Sequence, residues 1–270
     1  MDTPRKSLQL KESERLGRTL RSDPPDRLGE STWGILENVI RDGKQPEALA
    51  ILDYLQEGEV APRHFFFADW VYGNFSYVVE VFGEDAYEDM FRATWGAKAE
   101  GIPGSVEGFE PGLLTDVRAL VNRHAEIMRG HCPPRGAIQI SEEEDRFVMK
   151  LLPCNSGGRM LRSGMTQGDW NLPVTRTARR WSWGKVGKPL YCCHCALSRG
   201  IMASETRGFP IRVHEIPGRG LNPDSDHPFD PCCMVFYKAP ELIPEEYFAA
   251  LGLKKESSKF QPIPSPRNEG

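Results

Sequence analysis

The sequence lacks an apolar run long enough to cross a membrane. A transmembrane helix takes roughly 20 consecutive apolar residues, and no uncharged apolar run in the chain approaches that length. The first 20 residues are dense in Arg, Lys and Glu, so they lack the apolar core of a secretory signal. We therefore expect a cytoplasmic protein with no membrane partner.

The chain also lacks an excess of basic residues. Its 34 Lys and Arg stand against 38 Asp and Glu, which gives a formal net charge of -4 at pH 7. Proteins that hold phosphate backbones depend on a positive surface. Nucleic acid is therefore not expected as a partner.

The cysteines lack the spacing of a disulfide framework. There are seven, an odd number, and five of them lie in two groups at 192–195 and 232–233. Disulfide-rich domains spread their cysteines along the chain in pairs. Reduced thiols fit the clustering better.

Four segments of the chain differ in their residue pattern. Residues 1–29 are charged and carry Pro24 and Pro25, which predicts a flexible arm. Residues 30–132 place apolar side chains at helical spacing and predict a helical region. The period changes to that of strands over residues 133–253, a Cys-rich α+β domain, and residues 254–270 form a polar, Pro-containing tail that we expect to be disordered.

Together these segments predict an α+β fold, with an N-terminal helical bundle packed on a small, mostly antiparallel sheet with one or two helices. Residues 137–140 and 147–152 predict a hairpin, and residues 211–216 and 234–237 predict two more strands. The Gly-, Arg- and Trp-rich segment 155–189 has little periodicity, which predicts a functional loop or an ordered cover over a site. Residues 193–202 predict a short helix. The helical half has enough apolar surface for a homodimer, the commonest oligomer.

The strongest chemical signal is the C-x-x-C spacing of Cys192 and Cys195 where a helix should begin. A helix N-terminus favours thiolate over thiol. Cys154 and Cys232 are predicted at strand ends that converge at one edge, and His194 lies between the paired cysteines. The predicted metal ligands are therefore Cys154, Cys192, His194, Cys195 and Cys232.

Zinc accepts a thiolate and imidazole donor set. An iron–sulfur cluster is less favoured because only one C-x-x-C pair is present. Two alternatives stay open: the cysteines are buried as small apolar residues, or a metal-free thiolate acts as a nucleophile.

Three further polar residues are candidates for a catalytic role. His124 falls on the apolar stripe of its predicted helix and could be a ligand, a general base or a core histidine. Glu215 follows His214 on a predicted strand, where only one of the two faces inward. Arg159, after two glycines, could hold an anion, although a tight strand exit is the favoured explanation of that turn.

The second half of the chain, from about residue 137 to 248, resembles the 4-vinyl-reductase-like domain and the related L-2-amino-thiazoline-4-carboxylic-acid-hydrolase-like proteins. The segments that carry the resemblance are Leu152-Pro153-Cys154, Gly157-Gly158-Arg159, the 192–195 cluster and Asp230-Pro231-Cys232. The resemblance implies an α+β ligand-binding domain with cysteines near a pocket, in proteins that range from metal sensors to hydrolases of small heterocycles. The position of His194 between Cys192 and Cys195 departs from the hydrolase pattern.

Three functions follow from these observations. The first is a zinc-dependent hydrolase or lyase that acts on a small cyclic or aromatic molecule, in which His124 or Glu215 moves a proton and Arg159 holds a carboxylate. The second is a ligand-binding or sensor module with a structural zinc. The third is a metal-free hydrolase with a Cys nucleophile.

Overall fold

A computed structural model describes residues 8–15, 17–96, 116–132, 137–169, 171–214 and 232–260. The chain divides into two compact units, residues 1–67 and 68–270. Within the described ranges, no helix combines the length and apolar character that a membrane span requires. The fold class is α+β, as the sequence predicted.

The first unit is mainly helical. It contains α1 (Pro25–Leu28), α2 (Thr32–Arg41), α3 (Gln45–Tyr54), a π-helical stretch (Leu55–Val60) and the beginning of α4 (Ala61–Phe82). Ser31 caps α2 by accepting a hydrogen bond from the backbone N–H of Gly34, as expected for a serine at this position. Apolar side chains at helical spacing form its core: Ile35, Leu36, Val39, Ala48, Ile51 and Leu55.

The segment predicted as a flexible arm contains regular structure. Strands β1 (Leu10–Ser13) and β2 (Arg18–Arg21) form an antiparallel hairpin. Buried Asp23 accepts hydrogen bonds from the Gln9 N–H at 3.1 Å and from Arg21 Nε at 2.9 Å. A carboxylate hidden from water needs such partners, and through them Asp23 ties both strands together. Residues 1–7 of the predicted arm lie outside the described residues.

The second unit begins within α4 and consists of a sheet with helices packed around it. Its helices are α5 (Asp85–Phe91), α6 (Val117–Arg129), α7 (Gly157–Arg162), α8 (Leu190–Cys195), α9 (Met202–Arg207) and α10 (Glu245–Ala250). A π-helical stretch, Ala196–Ile201, joins α8 to α9 without a break. The short helix predicted at 193–202 is therefore part of a longer helical segment.

The sheet consists of β3 (Ala137–Glu142), β4 (Arg146–Leu152), β5 (Val213–His214) and β6 (Cys233–Tyr237). The strand order is β3-β4-β6-β5, and each neighbouring pair is antiparallel. The predicted hairpin is confirmed, as is the strand at 234–237. Of the strand predicted at 211–216, Val213 and His214 pair with β6, whereas Ile211 and Arg212 precede the strand, and residues 215 and 216 lie outside the described part.

The two faces of the sheet bury different sets of side chains, because successive strand residues point to opposite sides. Met234 and Phe236 pack with α6 through Leu120 and Val121. Cys233, Val235 and Tyr237 pack on the other side against Tyr247 and Phe248 of α10. A strand with both faces covered reads as a continuous apolar run, and all five residues of β6 are buried.

The segment 155–189 is an ordered cover. It contains α7 and the 3-10 turn Arg180–Ser182, and it buries Trp181 and Trp183 in the core formed with α4, α5 and α8. Trp170 lies outside the described residues. Part of the tail predicted as disordered also has structure: Ser257–Lys259 form a 3-10 turn, and Phe260 stacks on Phe248. Residues 261–270 lie outside the described part.

Candidate functional site

The helix α8 positions the cysteine cluster by burying one face. Leu190, Cys193 and Leu197 are fully buried in the core, and they recur at helical spacing. The hydroxyl of buried Tyr87 donates to the Leu190 carbonyl at 2.8 Å and fixes the start of the helix. Cys192 and Cys195 therefore lie to the side of the core face, and both remain partly exposed.

Cys195 lies among three nitrogen-bearing side chains. Its Sγ is 3.4 Å from Nε2 of His194 and accepts a hydrogen bond from Arg212 Nη2 at 3.2 Å. His214 also lies near enough to lower the pKa of the Cys195 thiol. The Nδ1 of His194 contacts the Tyr191 carbonyl, so the ring is held with Nε2 toward the sulfur.

These neighbours change the ionisation of the thiol. Burial by itself would raise the pKa of Cys195, but the charges of His194 and Arg212 and the hydrogen bonds from His194 and His214 hold that pKa well below its ordinary value. Burial likewise opposes protonation of His194, and the negative charge of Cys195 overcomes it and raises the His194 pKa. Both shifts favour a thiolate beside an imidazolium, the form in which a cysteine is nucleophilic.

His214 reaches the site from β5, and Arg212 from the position just before this strand. The N–H of Ile211 donates to the Arg199 carbonyl at 3.0 Å, which ties this stretch to the helical segment. Arg212 and His214 are only 6% and 8% exposed. Being two residues apart on an extended chain, they point to the same side.

His214 is packed so that it stays neutral. Its ring lies 4.9 Å from the Trp183 ring. Lys188 Nζ lies 3.7 Å from the centre of the same Trp183 ring. Burial lowers the pKa of His214 to about 4, against the hydrogen bond with Cys195, which favours the charged form. Its Nε2 is buried and has no hydrogen-bond partner.

Cys232 touches the same histidine. Its Sγ lies 3.8 Å from Nδ1 of His214. Burial and the neighbouring sulfurs of Cys154, Cys195 and Cys192 raise the pKa of Cys232 well above its ordinary value. The surroundings therefore favour a thiol at Cys232 and a thiolate at Cys195.

Cys192 and Cys154 have other surroundings. The Sγ of Cys192 lies so close to Gly157 that a Cβ on that glycine would come within 2.0 Å of the sulfur. Cys154 is buried after β4, within the cluster that α6 forms with the sheet. In the part of the chain that the structure describes, no three His, Cys, Asp or Glu side chains are arranged as a metal-binding group. The zinc ligands named from the sequence thus stay a prediction.

The three residues predicted to be catalytic have different surroundings. His124 is buried, packs at 4.9 Å from the Phe236 ring and contacts the Leu120 carbonyl through Nδ1 at 2.9 Å. Burial and then the charge of Arg212 lower its pKa well below the ordinary value. Glu215 lies outside the described residues.

Arg159 is not in the turn that the sequence suggested, since Gly157, Gly158 and Arg159 begin α7. Its guanidinium forms an ion pair with Asp69 and donates through Nε to the Asn155 carbonyl at 3.2 Å. An arginine that already binds a carboxylate of its own chain is a poor anion receptor. The structure therefore gives no support to the carboxylate-binding role predicted for Arg159.

Sequence reasoning missed Arg212 and weighed His214 only as the neighbour of Glu215. A signal was present, because Arg212 and His214 alternate with Ile211 and Val213. Polar side chains on one side of a strand and apolar ones on the other usually indicate a solvent-exposed face. Here helices cover both faces of the sheet, so the polar side is buried.

Comparisons with protein-family models, with curated proteins and with solved structures find no match to the chain.

Proposed function

We propose that the protein is a hydrolase in which Cys195 is the nucleophile and the substrate is a small molecule that carries a negative charge. The observation that supports this most is the contact set of the Cys195 sulfur: His194 Nε2 at 3.4 Å and Arg212 Nη2 at 3.2 Å. A nucleophile beside a base that a third group orients is the general arrangement of covalent catalysis. The Tyr191 carbonyl is that third group.

The two histidines have complementary protonation states. His194, whose pKa is raised, carries a proton that it donates to the leaving group as the Cys195 sulfur bonds to the substrate carbon. His214, whose pKa is about 4, is neutral near pH 7. Its unpartnered Nε2 accepts a proton from the water that then cleaves the acyl–sulfur bond.

The negative charge of the substrate is inferred from Arg212. This side chain is buried, and its Nε has no hydrogen-bond partner. Among the described residues, its guanidinium donates only to the Cys195 sulfur. A buried guanidinium gains from a second acceptor, which a substrate carboxylate supplies.

The test uses two chromogenic esters on metal-stripped protein, p-nitrophenyl acetate and its anionic analogue p-nitrophenyl hemisuccinate. We expect a burst of p-nitrophenol, an acyl group on Cys195 in the intact mass, and faster reaction with the anionic ester. The Cys195→Ser variant should lose the burst, whereas Cys192→Ser, one helical turn away, should keep it. A burst that survives in Cys195→Ser would refute the nucleophile.

A second candidate is the zinc-dependent enzyme predicted from the sequence. The observation that favours it is the gathering of soft donors: the Cys232 sulfur lies 3.8 Å from His214 Nδ1, and Cys154, Cys195 and Cys192 are near enough to raise the pKa of Cys232. Cys195, Cys232 and His214 would hold the ion, with Cys154 or Cys192 as a further ligand. Zinc bound there would act as a Lewis acid on the substrate.

Metal analysis separates the two candidates. Protein purified without added metal and then assayed for zinc should contain less than one zinc per chain if the thiolate acts alone. One zinc per chain that is lost in both Cys195→Ser and Cys232→Ser would support the zinc enzyme, and a closed four-ligand site would support a sensor with structural zinc. The resemblance to 4-vinyl-reductase-like and thiazoline-carboxylate-hydrolase-like domains stays a prediction.

A further inference from the structure

One side of α4 carries large apolar side chains that are open to solvent. Trp70, Tyr77 and Val81 recur at helical spacing, and each is more than half exposed. Phe82 at the end of the helix is equally exposed and packs edge to face on Tyr77, with 6.4 Å between the ring centres. The opposite side of the helix fills the core of the second unit. We call Trp70, Tyr77, Val81 and Phe82 the α4 aromatic face.

The α4 aromatic face is large for a surface that meets only water. Its three aromatic side chains are 61–66% exposed. An aromatic side chain has roughly 150–250 Å² to bury, so these three leave roughly 300–500 Å² uncovered. An apolar patch of this size on a soluble protein commonly marks an interaction site. A stable interface covers about 800 Å² on each partner, so the face is large enough to be the apolar centre of one.

A glycine lies beside the centre of this face. Gly73 is exposed in the interior of α4, where glycine destabilises a helix relative to alanine. Among the described residues, nothing outside the helix backbone lies within 4 Å of the position that a Cβ on Gly73 would take. Packing within this part of the chain therefore does not require glycine there. A residue without a side chain lets another backbone approach closely, which suits a second helix laid across α4.

The face is symmetric about the peptide that joins Gly73 to Asn74. Trp70 precedes Gly73 by three residues, and Tyr77 follows Asn74 by three residues. Two antiparallel copies of α4 that cross at this point would place each Trp70 against the Tyr77 of the other copy. A two-fold interface requires such self-complementarity, because the same patch serves both subunits. A different protein would not require it, so the symmetry favours a second copy of this chain.

The charges of α4 also favour a protein partner over a lipid surface. Between residues 68 and 82 the charged residues are Asp69 and Glu80, with no Lys or Arg. Helices that lie on anionic membranes carry Lys and Arg beside their apolar side. Asp69 is paired with Arg159, and Glu80 is exposed. Anionic lipid would therefore repel this side of the helix.

We propose that the α4 aromatic face is the interface of a homodimer, in which two α4 helices cross antiparallel at Gly73 and Asn74 on a two-fold axis. Trp70 of each copy packs on Tyr77 of the other, and Gly73 allows the two backbones to approach. The inference makes no use of the cysteine site, so it stands or fails independently of the proposed function.

Sedimentation velocity of the full chain from nanomolar to micromolar concentration tests the association. We expect a dimer of twice the 30.4 kDa chain mass. Trp70→Asp and Gly73→Leu should each raise the dissociation constant by about tenfold or more, because aromatic residues at the centre of an interface carry much of its binding energy. Trp33→Asp is the matched control: Trp33 is also more than half exposed but lies on α2, so this variant should dimerise as the wild type does. Circular dichroism of each variant checks that it is folded.

A cysteine cross-link tests the two-fold arrangement. In Asn74→Cys the introduced thiols of two copies lie beside the axis, so mild oxidation should join them and give a covalent dimer on a non-reducing gel. Glu37→Cys is the control, because Glu37 is exposed on α2. This variant and the wild type, which contains the seven native cysteines, should show no such band.

The outcomes separate the occupants of the face. A wild type that is monomeric at all concentrations would overturn the inference, and so would a dimer that Trp70→Asp leaves intact. A dimer that Trp70→Asp dissociates but Asn74→Cys does not cross-link would overturn the two-fold crossing. A monomer that co-sediments with phosphatidylcholine vesicles through Trp70 would show that the face binds lipid instead.

Discussion

At the scale of single residues, the site depends on two nitrogen-bearing side chains that are shielded from water. Arg212 and His214 are both more than nine-tenths buried, yet they respond to burial in opposite ways, because only one of them keeps its charge. The guanidinium stays charged in any protein environment and stabilises the Cys195 thiolate. The imidazole gives up its proton instead, because burial penalises its charged form more than its hydrogen bond favours it.

Replacement of Arg212 should raise the pKa of Cys195. The Arg212→Gln variant removes the positive charge 3.2 Å from the sulfur, so alkylation by iodoacetamide should require higher pH and be slower by roughly tenfold or more at pH 7. The measurement is the pH dependence of the alkylation rate. Arg159→Gln, whose partner is Asp69, should leave the profile unchanged, and a shift of equal size in both variants would argue against a specific role of Arg212.

The pKa of His214 predicts a loss of stability in acid. Folded His214 takes up its proton at about pH 4 and an unfolded histidine at about pH 6.5. Between these values the unfolded state binds more protons, so the stabilisation is complete above about pH 6.5 and is lost as the pH falls toward 4. The difference corresponds to about 3 kcal/mol.

Urea unfolding of the wild type and of His214→Gln at pH 7 and pH 5 measures this loss. The variant should lose less stability on acidification than the wild type. His124 and His131 also have lowered pKa values, and because both proteins retain them, their contribution cancels in the comparison. Equal losses in the two proteins would show that folding does not lower the pKa of His214.

At the scale of elements, the close approach of α7 to α8 depends on one glycine. A Cβ at Gly157 would lie 2.0 Å from the Cys192 Sγ and 3.7 Å from the Cys192 Cβ. Only the first distance is a clash, so the sulfur alone excludes a side chain at residue 157. A small residue is therefore needed where the two helices meet beside the site.

Gly157→Ala should lower the free energy of unfolding by about 1–3 kcal/mol because it overpacks this contact. The double variant Gly157→Ala/Cys192→Ala should recover most of that loss, since the clashing sulfur is gone. Gly73→Ala is the matched control: nothing lies near its Cβ position in α4, and alanine in a helix interior should stabilise by up to about 1 kcal/mol. A double variant as unstable as the single one would contradict the contact.

At the scale of the whole molecule, net charge sets the class of partner. The formal charge of -4 at pH 7 gives no general attraction to polyanions. We expect no change in the fluorescence anisotropy of labelled single-stranded or duplex DNA at low salt. Binding that weakens as salt is added would contradict the expectation and indicate a local positive surface.

Exposed apolar side chains on α4 bear on the oligomeric state of the protein. Trp70, Tyr77 and Val81 are more than half exposed along α4 in the second unit, and apolar surface of this kind often marks an interface. The expected homodimer would have twice the 30.4 kDa chain mass in size-exclusion chromatography with light scattering. A monomer at all concentrations would exclude it.

The sequence by itself determined the elements that depend on local pattern. Apolar residues at helical spacing specified α2 and α6, and alternation with an acidic turn specified the β3–β4 hairpin, because these patterns set which face of an element is apolar. The C-x-x-C spacing also marked α8, the helix that carries Cys195 of the candidate site. The hairpin in the first unit was missed, because it is held by Asp23 and Arg21 and not by an apolar stripe.

Only the tertiary structure decided which groups surround Cys195. Arg212 and His214 are 17 and 19 residues along the chain from it, and no local pattern states that a polar side of a short strand will be covered by a helix. Arg159 shows the converse, since its partner Asp69 comes from α4, 90 residues away. Ionisation follows from burial and from neighbouring charges, and both are properties of the folded chain.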